Sequence, residues 1–256
     1  MSVDRIMTDP QVRLNGEVYA FPKPLPYLYR RVTPLSPKTY GFAGFQQRPD
    51  YRFAEETAVV PITVDEFAAA GRHLPIVFSK SAGHRPVALL GTKDGENRLV
   101  GDDGAWRTDS YVPAYLRRYP FILARPKPGA KTMYLCVDDT DERILPTSGE
   151  PLFEDGATPT ACTKHILNFC HKYEIAAERS WQLAKLLNKH DLLFDASIRV
   201  RAGDAMRRYG GFLAVDRARL AELPDDALDE LGRTGALAAI YAHLASIQSM
   251  ANLERR

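Results

Sequence analysis

The chain is 256 residues long, with 45% hydrophobic and 26% charged residues and a formal net charge of +2. That mix suits an ordinary globular protein, and the charge is too balanced for a nucleic-acid binder, in which a clustered basic excess is expected. Asp4, Arg5, Asp9 and Arg13 interrupt any apolar stretch near the start, so no signal peptide is expected; with three cysteines without framework spacing and no apolar run long enough to span a bilayer, we expect no membrane insertion and cytoplasmic residence.

Residues 1–32 read as a Pro/aromatic N-terminal extension, in which Phe21-Pro22-Lys23-Pro24-Leu25-Pro26-Tyr27 favours an extended path. Residues 33–256 read as one domain, sheet-rich over 33–155 and helix-rich over 156–256. Thr63-Val64-Asp65-Glu66 is a capping box that predicts a short helix from Val64 to Gly71. The apolar runs 74–79 and 86–91 predict strands. Turn residues over 93–97 precede another strand at Arg98-Leu99-Val100, and Asp102-Asp103-Gly104 turns again. Short strands joined by tight turns imply antiparallel pairing.

Pro113 suits the first turn of a helix over 112–118, and 121–124 and 133–137 read as two more strands. After a connector, Thr158 is expected to cap a long helix with Pro159 in its first turn. Apolar residues then recur at helical spacing from Ile166 through Cys170, Tyr173 and Ala184 to Leu187. Ser197–Arg201 and Tyr209–Val215 form a hairpin that can add strands to the N-terminal sheet. Asp216 caps a short helix, Pro224-Asp225-Asp226 starts another, and Gly232 and Gly235 should break it. The last helix carries Leu237, Ile240, Leu244 and Ile247 on one stripe. The fold class is therefore α+β, a mostly antiparallel sheet with a helical C-terminal half that contributes a hairpin.

The run from Tyr111 to Phe121 holds the richest chemistry. On a helix Tyr111, Tyr115 and Tyr119 lie one turn apart, and Arg117 and Arg118 sit among them. Tyrosine offers a rigid surface with a polar tip and arginine clamps carboxylates, a combination suited to recognising a peptide or protein. The same spacing also suits amphipathic core residues. Glu96 and Asn97, in the Gly95-Glu96-Asn97 turn, form a second binding candidate or a plain hairpin turn. Cys162, His165, Cys170 and His171 do not make a zinc site, because Cys162 and Cys170 lie roughly 12 Å apart along one helix. No metal or cofactor is expected. The acidic run Asp138, Asp139, Asp141 and Glu142 reads as a solvated loop.

Several of these pieces, in order, resemble the SapC family. They are Pro61 before the capped helix, Leu74-Pro75-Ile76-Val77-Phe78, Pro86-Val87-Ala88-Leu89-Leu90-Gly91, Gly95-Glu96-Asn97, Tyr111 to Phe121 and Gly149-Glu150-Pro151-Leu152-Phe153. Gly211-Phe212 with Val215-Asp216, and Gly235-Ala236-Leu237 with Ile240-Tyr241-Ala242-His243-Leu244, complete the set. The resemblance runs from about residue 33 to 250. Leu74 departs from it, since an aromatic usually precedes the Pro-Ile-Val-Phe strand.

The resemblance implies a context rather than a reaction: surface-layer protein production or export, beside outer-membrane receptors and modifying oxygenases or halogenases. The leading expectation is a non-catalytic accessory protein that engages a polypeptide, such as a surface or outer-membrane protein or its modifying enzyme, through Tyr111, Tyr115, Arg117, Arg118 and Tyr119. The alternative is an enzyme on a small molecule or peptide, with Glu96, Asp138 or His243 as acid or base. A third option is a structural subunit of an export assembly.

Overall fold

The computed structural model describes residues 12–14, 17–19, 25–81, 83–125, 132–202 and 204–254. In chain order the elements used below are β1 (Val32–Pro34), β2 (Val59–Pro61), α1 (Phe67–Ala70), β3 (Ile76–Phe78), β4 (Pro86–Leu89), α2 (Ala114–Arg118), β5 (Phe121–Ala124) and β6 (Tyr134–Asp138). They continue with α3 (Ala161–Lys189), β7 (Leu193–Ala202), β8 (Ala205–Val215), α4 (Arg217–Ala221), α5 (Asp225–Arg233), α6 (Ala236–Ser246) and α7 (Met250–Glu254). Residues 50–117 and 175–254 form one compact unit, and 25–49 and 118–174 form a second.

The first unit is built on a five-stranded antiparallel sheet in the order β7-β8-β3-β4-β2. Ile76, Val77 and Phe78 are all buried, which explains why β3 reads as an unbroken apolar run rather than an alternating one. The hairpin joins this sheet where Leu213 of β8 pairs with Phe78 of β3, the strand addition expected from sequence. The two hairpin strands pair from Leu193↔Val215 to Ala202↔Ala205, with a register shift at Ala196/Ser197. The extra residue is Gly211, whose φ of +92° only glycine adopts freely.

The second unit holds a three-stranded antiparallel sheet in the order β1-β6-β5. Tyr40, Phe121, Leu123, Val137, Leu152, Phe153 and Cys170 pack together as its core. The expected extended segment at 21–24 lies outside the described residues. Just after it, Leu25 and Tyr29 are buried, and the Tyr29 hydroxyl donates to the Phe121 carbonyl at 2.7 Å.

The fold is α+β, and most predicted elements fall where the sequence places them. Four details differ. Arg98-Leu99-Val100 is not a strand but gives only a single bridge from Val100 to Trp106, because the Asn97 side chain takes the Leu99 N–H at 3.0 Å. Thr158-Pro159 pairs with Phe153-Glu154, so the long helix starts at Ala161, with Thr160 Oγ1 accepting the Thr163 N–H. Gly232 stays inside α5, and the break comes at Gly235 with φ +76°. The stripe that α6 buries is Ala236, Ala239, Ile240, His243 and Ser246, so His243 belongs to the buried face in place of Leu237 and Leu244.

Candidate functional site

The Tyr/Arg belt does not face outward as a single surface. Tyr111 to Arg117 belong to the first unit and Arg118 to Phe121 to the second. Tyr115, Arg118 and Tyr119 are buried, at 3%, 5% and 6% exposure, Tyr111 is half-buried and Arg117 is exposed. These three side chains thus point inward, not outward as the expected polypeptide contact through Tyr115, Arg118 and Tyr119 requires. The physical reason is that the polar ends of Arg118 and Tyr119 meet carboxylates within the chain, Glu174 and Asp138, which offsets much of the cost of burying them.

Their partners are specific. The Tyr111 hydroxyl donates to Glu66 Oε1 at 3.1 Å and accepts from Arg117 Nη2 at 3.2 Å. Arg117 also donates to the Val112 carbonyl at 3.1 Å. Arg118 lies over the Tyr173 ring at 4.1 Å and donates to Glu174 Oε1 at 3.1 Å. Tyr119 packs edge-on against Tyr29 at 5.2 Å, and Arg143 donates to its carbonyl at 3.1 Å. Burial and the neighbouring Asp138 push the Tyr119 hydroxyl far above the usual phenol range.

The other sequence candidates are likewise engaged. Asn97 is buried, donates to the Ala54 carbonyl at 2.9 Å and accepts from Leu99 N–H. Burial alone would raise the Glu96 carboxyl, but the Thr92 hydroxyl and the Arg98 guanidinium, 3.2 Å away, outweigh it and hold the group below the usual carboxylate range. That makes Glu96 a poor base. Asp138 is fully buried rather than solvated, and accepts from the Arg30 and Arg31 N–H groups and from Thr140 N–H and Oγ1. Asp141 pairs with Arg143 at 2.8 Å, so half of the acidic run is structural. Cys136 and Cys170 are free and buried, with thiols pushed up to about 12 by desolvation, far from reactive. Among the described residues no His/Cys/Asp/Glu group is placed to hold a metal, and no helix is long and apolar enough to cross a membrane.

His243 has a structural task. Its Nδ1–H donates to the Ile76 carbonyl at 2.8 Å, and its Nε2 accepts the Val215 N–H at 3.1 Å. The neutral ring thereby satisfies backbone groups of β3 and β8, where those strands share a single register pair. Desolvation holds its pKa down to about 4. Between that value and the ordinary 6.5 the unfolded chain binds more protons than the folded one. Stability present above pH 6.5 is therefore lost as pH falls toward 4, by on the order of 3 kcal/mol. Denaturant melts between pH 7.5 and 4.5 should show that loss, and His243→Gln should lose clearly less over the same interval. Equal slopes in both proteins would contradict this role.

A further exposed surface is the ribbon made by the far half of β7 and β8. Strand alternation puts Ser197, Arg199 and Arg201 on one face of β7, and the register places Arg208 opposite Arg199 and Met206 opposite Arg201. All of these are exposed, Met206 by 63%. Arg208 Nε donates to Ser197 Oγ at 2.9 Å, and no carboxylate among the described residues pairs with Arg199 or Arg201.

The opposite face carries Ile198, Tyr209 and Arg207. It is backed by α7, where Glu254 accepts from the Tyr209 hydroxyl and stands 3.9 Å from Arg207. β7 is also the end strand of the sheet, so one of its edges has no strand partner among the described residues. Sequence reasoning read 197–215 only as a hairpin. The Arg-x-Arg alternation, followed by Arg207-Arg208 across a short turn, was the available signal of a one-signed face.

A cleft of about 580 Å³ in the first unit is lined by Phe67, Ala68, Gly71, Arg72, Ala242 and Ser249 among others, and reaches neither Glu96 nor His243. A family model described as SapC matches residues 35–253. No curated protein and no solved structure matches the chain.

Proposed function

The chain belongs to the SapC family, and from that premise we propose that it is a non-catalytic accessory protein that binds an extended polypeptide along the open edge of β7. The setting we propose is the production, modification or uptake of bacterial surface or outer-membrane proteins, with the encounter in the cytoplasm. One observation carries the reading: among the described residues, an end strand of the main sheet has an edge without a strand partner, beside exposed arginines without carboxylate partners. Adding a strand to such an edge gives backbone hydrogen bonds for affinity and alternate side chains for specificity.

The acid–base alternative has less support. Glu96 and His243 lie in the first unit and Asp138 in the second, and each is occupied by hydrogen bonds that hold local structure. A photo-crosslinking phenylalanine analogue placed at Met206 in the native host tests the binding reading. Tyr241 on α6, 62% exposed, serves as control. The expected result is a polypeptide adduct from position 206 that disappears when Arg199→Glu and Arg201→Glu are combined. Equal labelling from 206 and 241, or labelling indifferent to the reversal, would contradict the proposal.

A further inference from the structure

Resting on that reading, we infer that the bound segment is acidic: an extended strand with carboxylates at alternate residues, seated on Arg199, Arg201 and Arg208. Arg199 and Arg208 face each other directly across the ribbon. Like charges in that position destabilise a β pair. Edge protection against aggregation asks only for charge, and a mixed-sign pair would guard the edge while strengthening the ribbon. The same-sign arrangement is therefore better accounted for by an anion that meets this face than by protection alone.

The geometry specifies the anion. Arg199 and Arg201 stand two residues apart on an extended strand, a spacing of about 6.8 Å. A strand paired with β7 repeats its side chains at that same interval on the same face, so acids at positions i and i+2 meet the two guanidinium groups in register. The inner face of the ribbon is already neutralised by Glu254, which confines the unmet positive charge to the outer side.

A second copy of the chain fits less well: antiparallel self-pairing of β7 about Arg199 or Val200 sets the arginines against their own copies or each other, and pairing about Ser197 gives Arg199 only Asp195, which already pairs with Lys80, and leaves Arg201 opposite Leu193. A nucleic acid fits less well too. Asp204 lies exposed at the ribbon tip, and Met206 offers an apolar contact beside the arginines that suits a side chain more than a phosphate.

Labelled synthetic decapeptides test this against the full chain by fluorescence anisotropy at low and moderate salt. One carries Glu at alternate positions, one carries the same residues with the acids contiguous, one carries Gln for Glu, and one has N-methylated backbone on its pairing edge. A single-stranded oligonucleotide of equal charge completes the set. The alternating-acid peptide should bind best, weaken with salt, and lose at least about tenfold in affinity on N-methylation or with Arg199→Glu/Arg201→Glu.

Arg199→Glu alone puts an acid opposite Arg208, so it should keep or raise the melting temperature while it weakens the alternating-acid peptide. A lower melting temperature for that variant would count against the cross-strand repulsion, and so against the inference. If the Gln peptide binds as well as the Glu peptide, the acidic inference fails while polypeptide binding stands. If no peptide binds but Met206 still crosslinks, the inference fails and the functional reading survives. If the oligonucleotide binds tightest, the inference is overturned in favour of a nucleic acid. Failure of the crosslink, in contrast, removes the functional reading itself.

Discussion

Asp138→Ala will destabilise the protein by about 3–5 kcal/mol, the loss typical of removing a buried charged partner. The carboxylate is fully buried at the end of β6. Its Oδ2 takes the Arg30 N–H at 2.6 Å, and its Oδ1 takes Arg31 N–H at 3.2 Å, Thr140 N–H at 3.1 Å and Thr140 Oγ1 at 2.7 Å. Alanine leaves these donors stranded out of water, and each such orphan costs about 1–3 kcal/mol. Asp138→Asn keeps the shape and one acceptor oxygen, so its loss should be about half as large. Equilibrium denaturation read by tryptophan fluorescence measures both. A change under about 1 kcal/mol for the alanine variant would mean that the residue is not a structural acceptor and would reopen its acid–base reading.

Glu66→Ala should cost about 3–4 kcal/mol for a related reason. Glu66 is buried in the first unit and joins two segments distant in sequence. Its Oε2 closes the capping box on Thr63, accepting the N–H at 2.9 Å and Oγ1 at 2.7 Å. Its Oε1 caps the start of α2, accepting the Ala114 N–H at 2.6 Å and the Tyr111 hydroxyl at 3.1 Å. Tyr111→Phe removes only one of these donors and should cost about 1 kcal/mol. In the double variant the Tyr111 change should add almost nothing, since its acceptor has gone. Full additivity of the two losses would show that the Glu66–Tyr111 bond contributes little.

Local signals made much of the fold legible. The Thr63/Glu66 box, the two apolar runs at β3 and β4, the Asp216 cap and the 3.6-residue stripe of α3 each act over a few residues, and each appears in the structure. What failed was competition between neighbours. Asn97 intercepts the Leu99 N–H and prevents a strand, and Thr158-Pro159 is drawn into pairing with Phe153-Glu154 before the helix can start.

The site was harder to read, because burial depends on contacts that the local pattern does not contain. Nothing within residues 111–121 reveals that Tyr173, Glu174 and Asp138 wait for Arg118 and Tyr119. Conversely, the arginines of β7 and β8 look like ordinary solvated charge until the register sets Arg199 against Arg208.

Amide hydrogen exchange of the full chain, with and without a saturating alternating-Glu decapeptide, measures where a polypeptide docks. Slowing of at least about tenfold is expected, confined to residues 193–202 and their neighbours on β8, as when an open edge gains a hydrogen-bonded strand. Protection that leaves β7 untouched and falls instead on 111–121 would contradict docking at that edge.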